Sequence, residues 1–147
     1  MFSAEKKVIQ FDDEGNDFVV ADTTAGAADK GVYTVLMPMV VRRIGFVVST
    51  TIVNPTIAAV MSVDYRPNFG SDTGRAEIDT LTLPTGTAAG KIVYVDVNCR
   101  VLPGTQLVAE HKTAGTGAGA AGAGRIFVVA DYSNETAANC AQMLASV

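Results

Sequence analysis

The sequence predicts an all-β fold, an antiparallel sandwich of about eight strands with a jelly roll as its leading topology, an extended N-terminal arm and a short C-terminal helix. Three observations lead there. Val, Ile and Thr total 42 of 147 residues against 6 Leu, a bias toward side chains that are stiff at χ1 and favour strands over helices. Apolar residues alternate with period two along most of the chain. Turn-forming Gly, Pro, Asn and Asp recur about every eight to twelve residues, the spacing of sandwich strands.

The longest signal is Arg42 to Pro67, RRIGFVVSTTIVNPTIAAVMSVDYRP. Its first half places Ile44, Phe46, Val48, Thr50 and Ile52 on one face, and its second half places Ile57, Ala59, Met61, Val63 and Tyr65 on one face. Pro55 cannot donate to a ladder and pushes Asn54 out of the helical region, so the run must turn there. Two central strands are expected, one on either side of Asn54-Pro55.

Upstream, residues 1–17 read as a polar arm carrying isolated apolar residues, Phe2, Val8, Ile9 and Phe11, that ends in the acidic turn DDEGND. Such an arm is expected to add little to the fold and to order on a partner. Residues 18–132 form the expected sandwich. Within it Phe18 to Ala21 is a short strand, Asp22 to Gly31 a loop, and Val32 to Met37 a strand apolar on both faces, as at a subunit contact. A homo-oligomer follows from that reading.

Downstream, Arg75 to Leu83 reads as a half-exposed strand whose core side is Ala76, Ile78, Thr80 and Thr82. Lys91 to Cys99 alternates Val93, Val95, Val97 and Cys99 against Ile92, Tyr94, Asp96 and Asn98. Pro103-Gly104 is a compact turn, and Thr105 to Lys112 and Arg125 to Tyr132 are the last strands. Between them Thr113 to Gly124, TAGTGAGAAGAG, is expected to be a surface loop, since Gly-rich segments lose much entropy on ordering; the competing expectation is a small-residue contact with another subunit. In residues 133–147, Ala137, Cys140, Ala141 and Leu144 fall at helical spacing, with Ser133 or Asn134 able to cap them.

Chemistry-bearing patterns are sparse. The GxGxxG match at Gly117, Gly119 and Gly122 precedes a strand where a dinucleotide site needs a helix N-terminus, and the GK[ST] ending of a phosphate loop is missing. His111 is the single histidine, which leaves no histidine metal cluster to build, and without a GxSxG elbow it is expected to be a surface or packed residue rather than a catalytic one. No catalytic, cofactor-binding or metal-ligating residue is assigned. Cys99 and Cys140 suit two free thiols or one bridge. The acidic turn is read as solvated, lacking calcium-loop spacing.

A net charge of −4, with no basic run beyond Lys6-Lys7 and Arg42-Arg43, excludes a phosphate-tracking surface, so nucleic acid is not an expected partner. No apolar run approaches the roughly 20 residues of a membrane span, and charges at Glu5, Lys6 and Lys7 interrupt a signal-peptide core; a soluble compartment is expected. Arg42-Arg43 is read as one outward and one edge-facing charge, or as a bidentate contact to a partner carboxylate.

The order of a polar arm, the strand pair IGFVVSTTIVNPTIAAVMSVDY, the strand KIVYVDVN, the turn and strand VLPGTQLVAEH, a Gly/Ala-rich loop and the closing strand RIFVVADY resembles the small jelly-roll decoration (cement) proteins of tailed bacteriophage capsids. The resemblance spans roughly Val32 to Tyr132. It implies a non-enzymatic virion protein, made in the host cytoplasm, that sits as a trimer on the major capsid protein at the capsid surface and strengthens the shell. On that reading Phe2, Val8, Ile9, Phe11, Arg42 and Arg43 are the expected partner-binding residues. The runner-up is a carbohydrate-binding sandwich of lectin or fibre type, for which the absence of Trp and the four Tyr and six Phe offer few aromatic platforms.

Overall fold

The computed structural model describes residues 5–22 and 28–132. Among these residues nine strands, all paired antiparallel, make two sheets: β1 Glu5–Phe11, β2 Phe18–Val19, β3 Ala28–Thr34, β4 Met39–Val53, β5 Ala59–Arg66, β6 Ala76–Leu83, β7 Ile92–Val101, β8 Gln106–Thr113 and β9 Ala121–Tyr132. One sheet runs β1-β9-β4-β7, with β2 added on β9, and the other runs β3-β8-β5-β6. Setting aside the two-residue β2, this is the strand order of a jelly roll, in which successive strands, apart from the paired β5 and β6, alternate between facing sheets. The expected C-terminal helix and Cys140 lie outside the described residues.

The two central strands fall where the sequence places them, but they do not pair with each other. β4 lies in the first sheet between β9 and β7, and β5 in the second between β8 and β6. Asn54 makes the crossover, its side-chain amide donating to the Leu83 carbonyl (3.1 Å) and its backbone N–H to Thr85 Oγ1 (3.1 Å).

The inward faces of the two sheets form one core. From the first come Met39, Val41, Ile44, Phe46, Val48 and Ile52, with Ile126, Val128 and Ala130; from the second come Ala59, Met61, Val63, Leu81, Leu83, Leu107 and Ala109. A register shift between Val41 and Arg43 changes the phase of β4. Odd positions 39 and 41 and even positions 44 to 48 therefore all point inward, while Arg42 and Arg43 both point outward, as a bulge dictates. In β6 Ile78 packs against the core as expected, but beyond a register shift the core side passes to Leu81 and Leu83, and Thr82 is exposed.

Three expectations need correction. First, of the expected arm, residues 5–11 do not lie outside the sandwich: Glu5–Phe11 pairs residue for residue with Tyr132 back to Ile126. Ile9 and Phe11 are 5% and 4% exposed and belong to the core. Only Val8, at 66% exposure, faces outward as an attachment residue would, and Phe2 lies outside the described residues. The segment has the alternation of a strand, Lys7, Ile9, Phe11 against Lys6, Val8, Gln10, but two charges within it mask the signal. Second, β3 starts at Ala28, three residues before the expected end of its preceding loop, because the Phe11 ring packs on Gly31 where a side chain would collide.

Third, the Gly/Ala segment is built into the fold. Gly115 packs against Asn54 and Val20, and Gly117, at φ +126°, packs against Pro55. Gly122 and Gly124 already lie in β9, and a Cβ on Gly124 would collide with the Val47 carbonyl and the Phe46 ring. These glycines are there for close backbone approach rather than for mobility.

Two substitutions test this account. Ile9→Ala should lower the unfolding free energy by about 3 kcal/mol, the cost of a cavity at a buried aliphatic, measured by denaturant titration. An arm outside the sandwich would lose almost nothing. Gly124→Ala should cost at least about 2 kcal/mol in the same measurement by forcing β9 away from β4; a neutral result would mean the two strands do not approach so closely.

Candidate functional site

With both inward faces in the core, the chain has two outer sheet faces left for partners, and they differ in chemistry. Across β3-β8-β5-β6 the outer face is sealed by an ion network. Arg75, in the connection between β5 and β6, reaches Asp64 of β5 through Nε (2.7 Å) and Glu110 of β8 through Nη2 (2.6 Å). The same Nη2 meets Asp29 of β3 (2.8 Å), and Nη1 meets Asp72 (3.2 Å). Arg66 adds bonds to Asp29 and Asp72 (3.3 and 3.4 Å).

The Asp64, Glu110, Arg66 and Arg75 side chains are 7 to 16% exposed. Burial opposes the charge on Arg75, but its bonds to Asp29, Asp64 and Asp72 outweigh that and hold the guanidinium firmly protonated. Glu110 is pushed above the ordinary carboxylate range, first by burial and then by the Asp64 charge beside it, against the pull of Arg75 and Lys112. Every charge in this network has an ion-pair partner, although the buried Arg66 Nε makes no hydrogen bond, so the face offers a partner little unspent charge.

The outer face of β1-β9-β4-β7 is the reverse. Val8 of β1, Val47 of β4, and Ile92 and Tyr94 of β7 are 39 to 66% exposed. They flank Phe127 of β9, whose ring packs on Gly45 of β4, where any side chain would collide with it. Val8, Val47, Ile92 and Phe127, with Gln10, Asp17, Ser49 and Arg125, line a depression of about 480 Å³. Alongside it Lys6, Arg42, Arg43, Asp96 and Val129 line a second of about 330 Å³.

The bulge at Arg42 brings the polar groups of the second depression together. Arg42 Nε donates to Asp131 (3.0 Å) and its Nη1 to Asn98 Oδ1 (2.6 Å), while Lys6 also reaches Asp131 (3.2 Å). Burial works against ionisation of Asp131, but the bonds from Arg42 and Lys6 prevail and hold its carboxyl below the ordinary value. Arg43 pairs with Asp96 (2.7 Å), and its guanidinium sits 3.9 Å from the centre of the Tyr94 ring. At the other end of the face Asp17 accepts from Arg125 (2.7 Å) and Ser49 (2.5 Å), which keep it ionised below the usual range.

Of the residues expected to bind a partner, Val8, Arg42 and Arg43 are thus brought onto one face, whereas Ile9 and Phe11 are spent on the core. Val47, Ile92, Tyr94 and Phe127 were not anticipated. Their signal was present: Ile92 and Tyr94 sit on the less apolar side of an alternating strand, where two large apolar side chains are out of place unless something covers them. His111 is fully buried in β8. Cys99, on β7, is a free thiol, partly buried, with burial raising its pKa. Among the described residues no group of His, Cys, Asp and Glu is placed to hold a metal ion, and no helix is long and apolar enough to cross a membrane.

The strand order defines the class: a jelly roll whose exposed apolar surface includes one sheet face. No protein-family model matches the chain, and no curated protein matches it. Among solved structures it is similar to the VP2 subviral particle of infectious bursal disease virus, with 15% identity and a TM-score of 0.46 over 86% of this chain and 32% of that one. It is similar also to the structures of the Gx strain (15% identity, TM-score 0.37, 91% and 33% covered) and the Gt strain (12% identity, TM-score 0.33, 89% and 34% covered) of that virus. The chain spans about a third of the length of these solved chains.

Arg75→Met tests which outer face is structural. It should cost about 3 kcal/mol or more in denaturant unfolding at neutral pH, because it strands Asp64 and Glu110 in a buried position. Adding Glu110→Gln should recover part of the loss. If the single substitution is neutral, the network does not seal that face.

Proposed function

We propose that this protein is a structural component of a virion, which binds the outside of an icosahedral capsid through the outer face of β1-β9-β4-β7 and stabilises the shell. The observation that carries the reading is the contrast between the two outer faces. One has its charges satisfied internally; the other leaves aliphatic and aromatic side chains in water, with paired Arg, Lys and Asp side chains beside them. A monomeric soluble domain rarely maintains such a face, and an apolar centre beside polar, still accessible groups is how protein interfaces are composed. The resemblance of the sequence to capsid decoration proteins supplies the kind of partner, the major capsid protein, and the trimeric state.

A sheet face suits this task. Strands hold their side chains on a rigid two-dimensional lattice, so binding loses little conformational entropy, and a protein present in many copies on a rigid shell gains more from preorganisation than from a deep pocket. The carbohydrate-binding alternative would use an exposed aromatic ring as a platform. Tyr94 is the exposed aromatic of this face, and the Arg43 guanidinium already lies over its ring.

The double variant Val47→Asp with Ile92→Asp is expected to fold with a thermal midpoint within a few degrees of the parent, since both side chains point to solvent. It should lose co-sedimentation with capsid shells that lack this protein. Undiminished co-sedimentation would remove the proposal, and retention on a glycan array without shell binding would favour the alternative. Mass measurement of the purified protein at micromolar concentration should give a trimer; a monomer both free and on the shell would remove that part.

A further inference from the structure

The core contains one group that an all-apolar sandwich would not need. His111, on β8 opposite Ala28 of β3 and Met61 of β5, is fully buried. Its Nε2 lies 3.1 Å from the Thr113 carbonyl, which can only accept, so Nε2 carries the proton and donates. Nδ1 is then left with a bare lone pair, and it has no hydrogen-bond partner among the described residues.

The charges around the ring come from the strand and segments packed beside it. Lys30 of β3 is bonded to Asp13 (3.1 Å) and Asp22 (3.4 Å), both in the segment between β1 and β3. The two carboxylates favour a charged imidazole and the ammonium opposes it. Lys30, paired with both carboxylates, offsets part of their pull on an imidazolium. Glu110 and Lys112 flank His111 along β8, and alternation puts them on the other side of the sheet, with Arg75 and Glu77.

We propose that His111 is an acid sensor: the corner formed by β8, β3 and residues 12–22 is closed while the imidazole is neutral and loosens when it takes a second proton. That proton would sit on Nδ1, a new N–H without an acceptor and a new charge without water, and both are costly in a buried site. The corner must open to hydrate it.

The sign follows from linkage. Burial is the leading cause that holds the His111 pKa below its ordinary value of 6.5 in the folded state. Its contribution to stability is therefore complete above about pH 6.5 and is lost as pH falls below that, by up to about tenfold in the folding equilibrium per pH unit until the folded pKa is reached. Glu110 acts in the opposite direction, since a carboxyl with a raised folded pKa favours the folded state on acidification. The comparison must therefore be made at constant Glu110. This inference does not rest on the proposed shell contact, whose residues lie on the other sheet.

The test is the pH dependence of unfolding for the parent, His111→Gln and His111→Leu between pH 7.5 and 5.5, with amide exchange in the parent as a measure that needs no substitution. The parent is expected to lose stability relative to both variants over that range, by up to about tenfold in its folding equilibrium. Protection factors at Ala109 to Lys112, corrected for intrinsic exchange, should fall by a similar factor, while the imidazole carbon shifts of the folded parent remain those of the neutral ring. Parallel pH profiles for parent and variants, or a folded-state imidazole that titrates near 6.5 with protection unchanged, would overturn the proposal. Should neither variant fold, the protection factors and imidazole shifts of the parent decide it alone.

Discussion

The pairing of β4 with β9 is the contact on which the rest depends. It runs from Val40 opposite Asp131 to Val53 opposite Ala121, the longest pairing in the molecule, and it joins the two ends of the chain's sandwich across some eighty residues of sequence. It forms at this separation because Gly124 and Gly122 present bare backbone where Phe46, the Val47 carbonyl and Ile52 approach. With that distance fixed, β9 has a second free edge for β1, and β4 has one for β7. The first sheet is thereby complete, and its inner face sets the positions of Ile44, Phe46, Ile126 and Val128, onto which the second sheet closes.

The same pairing also creates the exposed face. Gly45 and Phe127 are register partners in it, and the ring occupies the space a side chain at the glycine would take, so the centre of the outer surface is aromatic. The bulge at Arg42 turns two consecutive arginines outward beside it, and each finds an acid on a neighbouring strand. On the opposite sheet one guanidinium, that of Arg75, collects carboxylates from three neighbouring strands and so closes that face. From one core, then, come a sealed side and an open side, and the difference is a matter of a few residues.

Much of this was legible in the sequence. The β-branched bias and period-two runs identify the class, and the Asn54-Pro55 break separates β4 from β5. The alternation in β7 assigns its faces correctly. What was not legible depends on partners distant in sequence. β1 looks like an arm because Lys6 and Lys7 dilute a short alternation, and its reason to be a strand is the edge of β9, more than a hundred residues away. The Gly/Ala segment looks mobile because a glycine chosen for close approach and one chosen for freedom are the same letter. The parity read for β4 holds at Ile44, Phe46, Val48 and Ile52 but not at Thr50, which is exposed beside a register shift, since an irregularity in the ladder leaves no mark in composition. Of the candidate site, Arg42, Arg43 and Val8 were within reach, but Val47, Ile92 and Phe127 acquire meaning only when four strands from both ends of the chain are laid side by side.

The central claim is that attachment uses the outer face of β1-β9-β4-β7. The most direct measurement is hydrogen exchange of the protein free and bound to capsid shells, read residue by residue together with side-chain footprinting at Tyr94 and Phe127. The account predicts new protection confined to β1, β7 and the outer positions of β4 and β9, with β3, β5, β6 and β8 unchanged. Protection centred on the Arg75 network face, or on the loops at either end of the sandwich with Tyr94 and Phe127 still accessible, would contradict it.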